Sequence, residues 1–295
     1  MVGEKMKFET FAKALRIRMV EEEISRRYAE QELRCPIHLS IGQELNAVEL
    51  CELLGPDDLM VSSHRAHAHY LAKGGSLNAL IAELYGKETG CSRGFGGSMH
   101  LVDRSCGFMG STSIVAGSIP VGVGLAWAKK LRKEPGIVAI CFGDAAFEEG
   151  VTQEAMNFAA LHKLPVLFYC ENNRYSCYTQ LGERQPKGRI AWPRYLSKRK
   201  SLASSVAVVR GGRPAVCEVK TYRFVEHCGP SGDDHLGYRP EAGTQRDPLL
   251  ESVQTFNGHL AARFYSVIKD EIDEAFALAK SAAFPAKLMR PLCDS

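Results

Sequence analysis

Ile137-Val-Ala-Ile-Cys-Phe-Gly-Asp144 and Val166-Leu-Phe-Tyr-Cys-Glu-Asn-Asn173 are the two stretches on which the fold turns. Each is a short apolar run closed by oxygen-bearing side chains, and neither alternates polar with apolar residues. That is the pattern of strands in a parallel sheet covered on both faces. Between them, Val151, Ala155, Phe158 and Ala159 share one helical face within Glu149 to Lys163. Strand, helix, strand in that order reads as a βαβ unit. Ala215-Val-Cys-Glu-Val219 is a further strand.

Outward from this unit the chain is mostly helical. Phe8, Phe11, Leu15, Met19 and Ile24 predict a surface helix from Phe8 to about Leu33, with further helices from roughly Gln43 to Leu54, Ser76 to about Leu84 and Ile119 to Leu131. Residues 86–113 are too glycine-dense for a regular element and read as a long ordered loop serving a site. From Asp247 to about Ala283 the pattern is helical again: Leu249, Leu250, Val253, Phe256 and Leu260 give one face, and Phe264, Ile268, Ile272, Phe276 and Leu278 another. The expected architecture is α/β, a doubly wound, mainly parallel sheet forming a single domain over 1–295, with helical extensions at 1–60 and 247–295.

Composition narrows the function classes. With 295 residues, 45% of them hydrophobic, the chain can bury a substantial core. A formal charge of +3 is too small to argue for nucleic acid, and the basic cluster Arg194 to Lys200 lacks the interleaved aromatics of a base-stacking surface. No stretch is apolar for long enough to span a bilayer, and the N-terminus has no signal-peptide core, so a cytoplasmic location, or an organelle matrix in a eukaryote, is expected. The ten cysteines are scattered singly and read as free thiols.

In a parallel sheet, ligands bind beyond the carboxyl ends of the strands. There lie Gly143-Asp144-Ala145-Ala146 and Glu171-Asn172-Asn173. A carboxylate, an amide oxygen and a backbone carbonyl suit magnesium or calcium, with positions left for phosphate oxygens. Small residues after Asp144 let a phosphate approach the N-terminus of the next helix. Either motif alone is commonly structural; together, at the ends of strands in one βαβ unit, they favour a site.

Ser62-Ser-His-Arg-Ala-His-Ala-His-Tyr70 is a second cluster. Its spacing, the lack of a nearby Cys or carboxylate and the presence of Arg65 fit a closed zinc site poorly; arginine with histidine better suits an anion. His69 alone reads as structural. His38 and His227 lie in loop-like settings, and together with the 64–69 cluster they would suit acid–base work or an oxyanion pocket.

These residues coincide with a family. HLSIGQE at 38–44, SHRAHAH at 63–69, ELYGKETGCSRGFGGSMH at 83–100, SIVAGSIPVGVG at 113–124, GDAAFEEG at 143–150, ENNRYS at 171–176 and KTYRFVEH at 220–227 run through nearly the whole chain. The chain resembles the alpha subunits of the first component of pyruvate, branched-chain 2-oxo acid and acetoin dehydrogenase complexes. The resemblance implies a thiamine-diphosphate-binding fold, with Asp144, Asn173 and the main chain of Tyr175 as ligands of Mg2+, and Gly143, Ala145 and Ala146 around the diphosphate. It places Arg65 and His227 at the diphosphate, His64 beside them where the family commonly has a tyrosine, His38 in the substrate pocket, and Ser113 and Val115 along the aminopyrimidine. His38, His67 and His227 are the catalytic candidates.

It further implies a beta subunit that completes the site in an α2β2 heterotetramer, a small 2-oxo acid substrate, and acyl transfer to lipoamide on an acyltransferase component. The sequence departs from the family's pattern at Ala145, where a glycine is usual, in the loop after His227, and between Gln185 and Ala215, where it is about twenty residues short of the usual helix, strand and helix. A related carboligase subunit and a non-catalytic partner subunit are the alternatives. A nicotinamide-dependent dehydrogenase is disfavoured because Gly117 to Gly124 follow no credible first strand.

Overall fold

The computed structural model describes residues 7–188, 190–198, 201–239, 243–253 and 258–286. Its centre is a six-stranded sheet in the order β2-β1-β3-β4-β8-β7, all pairs parallel. The strands are β1 (Leu59–Ser62), β2 (Phe108–Ser111), β3 (Val138–Gly143), β4 (Val166–Asn172), β7 (Ser197–Lys198) and β8 (Ala215–Lys220). A small antiparallel hairpin, β5 (Tyr175–Ser176) with β6 (Thr179–Gln180), follows β4.

Helices cover both faces, which is why β3 and β4 carry no alternation. Met60, Ala139, Cys141, Leu167, Tyr169, Ala215 and Cys217 pack into a cluster with helices α1 (Phe8–Tyr28), α2 (Glu44–Glu52), α3 (His67–Lys73), α4 (Leu77–Leu84), α8 (Leu202–Arg210), α9 (Pro248–Val253) and α10 (Gly258–Ser281). The intervening residues Val61, Val138, Ile140, Phe142, Val166, Phe168, Cys170 and Val216 pack against α5 (Ser118–Arg132) and α6 (Gly150–Leu161). The expected doubly wound α/β sheet is present, and the short α7 (Leu181–Arg184) lies after the hairpin. The terminal helices belong to the first cluster rather than standing apart from it. Phe256 and residues 287–295 lie outside the described residues, as do Arg199 and Lys200 of the basic cluster.

Three buried polar groups set the geometry that carries the site. Asp58, at the entrance to β1, accepts from Gly55 N and Ile137 N and pairs with Arg210 of α8 at 2.7 Å, fixing β1 beside β3. Arg18 of α1 bridges Glu44 of α2 and Asp247 ahead of α9, at 2.5 and 2.7 Å. Glu83, fully buried on α4, accepts from the backbone N–H groups of Ser92, Gly94, Gly96 and Gly97. The glycine-dense loop is wound around this carboxylate, because few other residues let four amides converge on one side chain.

The sequence expectation missed β1 and β2, each only four residues long, and β7, only two. Among the described residues between Gln185 and Ala215 the chain forms a 3₁₀ turn at Pro186–Gly188, then β7 and α8.

Gly122 on α5 faces the sheet so closely that a Cβ there would lie 2.5 Å from Ile140 and 2.8 Å from Val61, whereas at Gly124 nothing stands within 4 Å. Gly122→Ala is therefore expected to lose about 1–3 kcal/mol from overpacking, while Gly124→Ala gains about 0.5–1 kcal/mol of helix propensity. Urea melts of the two variants check this, and equal effects would contradict the close α5–sheet contact.

Candidate functional site

β3 and β4 pair in register with Gly143 opposite Glu171, so Asp144 and Asn173 leave the sheet side by side, as expected from the sequence. They line one cavity of about 130 Å³ together with Gln43, His64, Arg65, Val115, Gly143, Ala145, Ala146, Glu171, Tyr175 and His227. Small-molecule pockets are usually about 300 Å³ or more, so this one accommodates the polar end of a ligand. The remainder would extend past Val115 and the exposed Ile114.

Asp144 is buried and opens a 3₁₀ turn, Asp144–Glu148, leading into α6. Neither Gly143, with φ −82°, nor Ala145 has a positive φ, so alanine in place of the family's glycine costs no backbone strain. A Cβ on Gly143 would meet nothing within 4 Å, which leaves open space at the strand end. Burial raises the Asp144 pKa, and the guanidinium of Arg184 pulls it back down: Arg184 donates to Asp144 Oδ2 at 2.5 Å and also pairs with Glu148. Arg184 reaches Asp144 because the β5–β6 hairpin and α7 fold back over β3, and no sequence signal pointed to it. A positive charge thus already sits on the oxygen assigned to a cation. Asn173 Oδ1 accepts from Tyr175 N at 2.9 Å, which holds the Asn173–Tyr175 turn. An acidic oxygen, an amide oxygen and a nearby backbone carbonyl beside open space fit magnesium with a diphosphate.

Arg65 is fully enclosed. Its terminal nitrogens donate to Leu39 O at 2.6 Å and His227 O at 2.8 Å. Burial lowers its pKa to about 9, with Arg223 pushing the same way and Glu21 and Glu171 opposing. The clamp joins the loop after β1 to those carrying His38 and His227, and a short bridge between His38 and Gly229 ties the same two loops. At Gly229, φ is +130° and a Cβ would strike the Glu226 carboxylate, so glycine is required.

As a result His38, His64 and His227 converge, with ring centroids 4.8, 5.3 and 5.2 Å apart. Burial, followed by neighbouring charges, lowers their pKa values to about 2, 4 and 3 respectively. All three are neutral bases at pH 7. His38 Nδ1 has no partner, and His38 is only 7% exposed.

Other expectations need correcting. His67 is fully buried and does not line the cavity: Nδ1 meets Glu21 at 3.1 Å and Nε2 meets Ser98 Oγ at 2.8 Å. Both ring nitrogens are spent on the core, so its expected catalytic role gives way to positioning, since Ser98 Oγ also accepts from His38 N. Ser113 is half-buried in the loop before α5 and does not line the cavity, although Val115 does. None of residues 86–113 lines it either; Ser98 is their link to it. His69 has the structural setting expected, with Nδ1 on Ser62 Oγ at 3.0 Å. Its 3.5 Å approach to Glu171 joins two neutral groups, because burial lowers His69 to about 4 and raises Glu171 to about 8.

The fold and site define a class: a doubly wound α/β protein whose cavity, at the carboxyl ends of parallel strands, gathers oxygen donors beside basic side chains. A family model described as "Dehydrogenase E1 component" matches residues 12–189. The chain is 34% identical to the pyruvate dehydrogenase E1 component subunit alpha of Zymomonas mobilis over 304 aligned positions, covering 94% of this chain and 85% of that one. The corresponding subunit of Rickettsia bellii is 35% identical, covering 82% and 79%, and the mitochondrial alpha-1 subunit of Oryza sativa is 33% identical, covering 88% and 72%. The chain belongs to the dehydrogenase E1 component family, among its alpha subunits. It is therefore part of a thiamine-diphosphate-using oxidoreductase of 2-oxo acids that works with a beta subunit. Among the described residues no helix is long and apolar enough to cross a membrane, and the described cysteines are free thiols.

The depressed histidines have a consequence for stability. The unfolded chain takes up protons near pH 6.5 that the folded chain refuses until about pH 4 at His64. Their contribution is complete above 6.5 and declines as pH falls through that window. Lowering pH from 7 to 5 is expected to destabilise the wild type more than His64→Phe, by on the order of 1 kcal/mol, in thermal melts; parallel pH curves would contradict it.

Proposed function

We propose that this chain forms the diphosphate-cradling half of the active site in an oxidative decarboxylation of a small 2-oxo acid, with acyl transfer to lipoamide on an acyltransferase component. The observation that carries the reading is the convergence of Asp144, Asn173 and Tyr175 with His64, Arg65 and His227 on one cavity at the ends of β1, β3 and β4. Oxygen donors stand on one side of it and anion-binding donors on the other, as a magnesium diphosphate requires.

Asp144 Oδ, Asn173 Oδ1 and Tyr175 O would hold Mg2+, with Gly143, Ala145 and Ala146 leaving room for the phosphates and the start of α6 facing them. Thiamine diphosphate supplies, when bound, a nucleophilic carbon and a sink for the electrons released with CO2. His227 and His64 donate to the phosphate or substrate oxygens, and Arg65 holds the backbone of the His227 loop in place. His38, neutral and with Nδ1 unpartnered, is the base closest in character to what a 2-oxo acid pocket needs. Val115 and Ser113, on the loop before α5, would flank the aminopyrimidine.

The cavity is too small for a whole cofactor, and apolar side chains on the loop that lines it are bare: Ile114 is 68% exposed and Val115 44%. A beta subunit covering this face in an α2β2 heterotetramer accounts for both. The free thiols fit a reducing compartment, the cytoplasm or an organelle matrix.

Calorimetric titration of thiamine diphosphate with Mg2+ into the chain co-expressed with its beta subunit tests the reading. Binding is expected in the wild type and lost in Asp144→Ala; no binding by a folded wild-type complex would instead mark a non-catalytic partner subunit. Arg184→Ala is expected to tighten the magnesium-dependent binding about tenfold, because the cofactor no longer displaces a charge-assisted hydrogen bond of about 1.5–3 kcal/mol. Weaker binding in that variant would show that Arg184 holds the diphosphate rather than yielding to the cation.

A further inference from the structure

We propose that His38, His64 and His227 form a three-imidazole site for a late first-row transition ion of the zinc class, separate from the magnesium set at Asp144 and Asn173. The three side chains come from three loops, and their ligating nitrogens lie within 4.8 Å of one another. In a tetrahedral zinc site, bonds of about 2.0–2.1 Å put the nitrogens about 3.3 Å apart. Rotations that bring each ring in by about an ångström close the site, leaving the fourth position for water or a carboxylate, the pattern of an open three-histidine centre.

Three features favour an ion there over a merely packed cluster. His38 Nδ1 is a buried nitrogen with no partner, although His38 is 7% exposed. Among the described residues none of the three rings is paired with a carboxylate, unlike His67 and His69. The loops are held independently of any ligand, by Arg65 on Leu39 O and His227 O and by the His38–Gly229 bridge. Imidazole donors select zinc, copper, nickel or cobalt, whereas magnesium takes oxygens, so two chemically different cations would be sorted to two separate donor sets.

The cationic neighbours do not forbid it. Arg65 spends its terminal nitrogens on carbonyls and its charge faces Glu21, while Arg223 lies 3.7 Å from Asp233. The cluster also differs from the one the sequence suggested, since His67 and His69 are turned into the core and only His64 of that run takes part. An ion seated here occupies the imidazoles assigned to the phosphate and substrate oxygens, so a zinc-class ion would compete with cofactor loading and inhibit the enzyme.

The test is spectroscopic and needs neither cofactor nor turnover, so its failure is distinguishable from failure of the magnesium-diphosphate reading. Co2+ is titrated into the full chain while visible absorption is followed. The expected result is intense tetrahedral absorption saturating at a single ion per chain, abolished by added Zn2+. In His64→Phe and in His227→Gln, each checked for a wild-type near-UV circular dichroism spectrum, affinity should fall at least about 100-fold, beyond the about 10–100-fold cost of losing only an outer partner. In Asp144→Asn it should be unchanged. If His64→Phe does not fold, His64→Tyr serves in its place. The proposal is overturned by the absence of tetrahedral absorption in the wild type, by equal uptake in the folded histidine variants, or by loss in Asp144→Asn alone.

Discussion

The buried guanidinium of Arg65 is the constraint on which the site depends. It leaves the end of β1 and is enclosed by the fold, and its two charge-assisted bonds run to carbonyls, Leu39 O and His227 O, far apart in sequence. A hydrogen bond from a charged donor contributes about 1.5–3 kcal/mol, and an enclosed cation left without acceptors costs several kcal/mol. The two loops therefore come to Arg65 or the residue cannot be buried at all. Once they do, His38 and His227 are brought against His64, and the same burial drives all three rings to their neutral form. Geometry and protonation state have a single origin.

The other end of the cavity follows from sheet topology. β3 and β4 are adjacent and parallel, so whatever follows each must emerge on the same side. Asp144 is buried there without enough neighbours of its own, and the chain meets that cost with Arg184, which also holds Glu148. The arrangement treats Asp144 as an anion that must be paired, first by the protein and then, on our reading, by a metal. Arg184 is on a helix of only four residues at the end of a two-stranded hairpin.

What was legible in the sequence was local or periodic. The apolar runs of β3 and β4 are long enough to stand out, and Asp144 and Asn173 follow them directly, so the crevice could be found from strand ends alone. β1 and β2 were hidden because four residues give no period, and β2 sits at the end of a glycine-dense stretch that looked like pure loop. That loop was expected to serve a site, yet it serves Glu83 and Ser98. His64, His67 and His69 look alike in sequence; helix α3 begins at His67 and turns it and His69 into the core, while His64 stays in the loop facing the cavity. Arg184 could not be found at all, because its partner is chosen by the fold-back of a hairpin and not by spacing.

The stretch before β8 is tied to the strand that carries the site. β8 pairs with β4 on one side and with β7 on the other. Glu218 of β8 accepts from Asn172 Nδ2 at 2.8 Å, Trp192 Nε1 at 2.9 Å and Lys198 Nζ at 2.6 Å. One carboxylate thus ties Trp192 and Lys198 to the last residue of β4, immediately before Asn173. The oxygen donors therefore follow a strand end held from its β8 side, and Lys198 on the β7 edge gives a foreign strand little template.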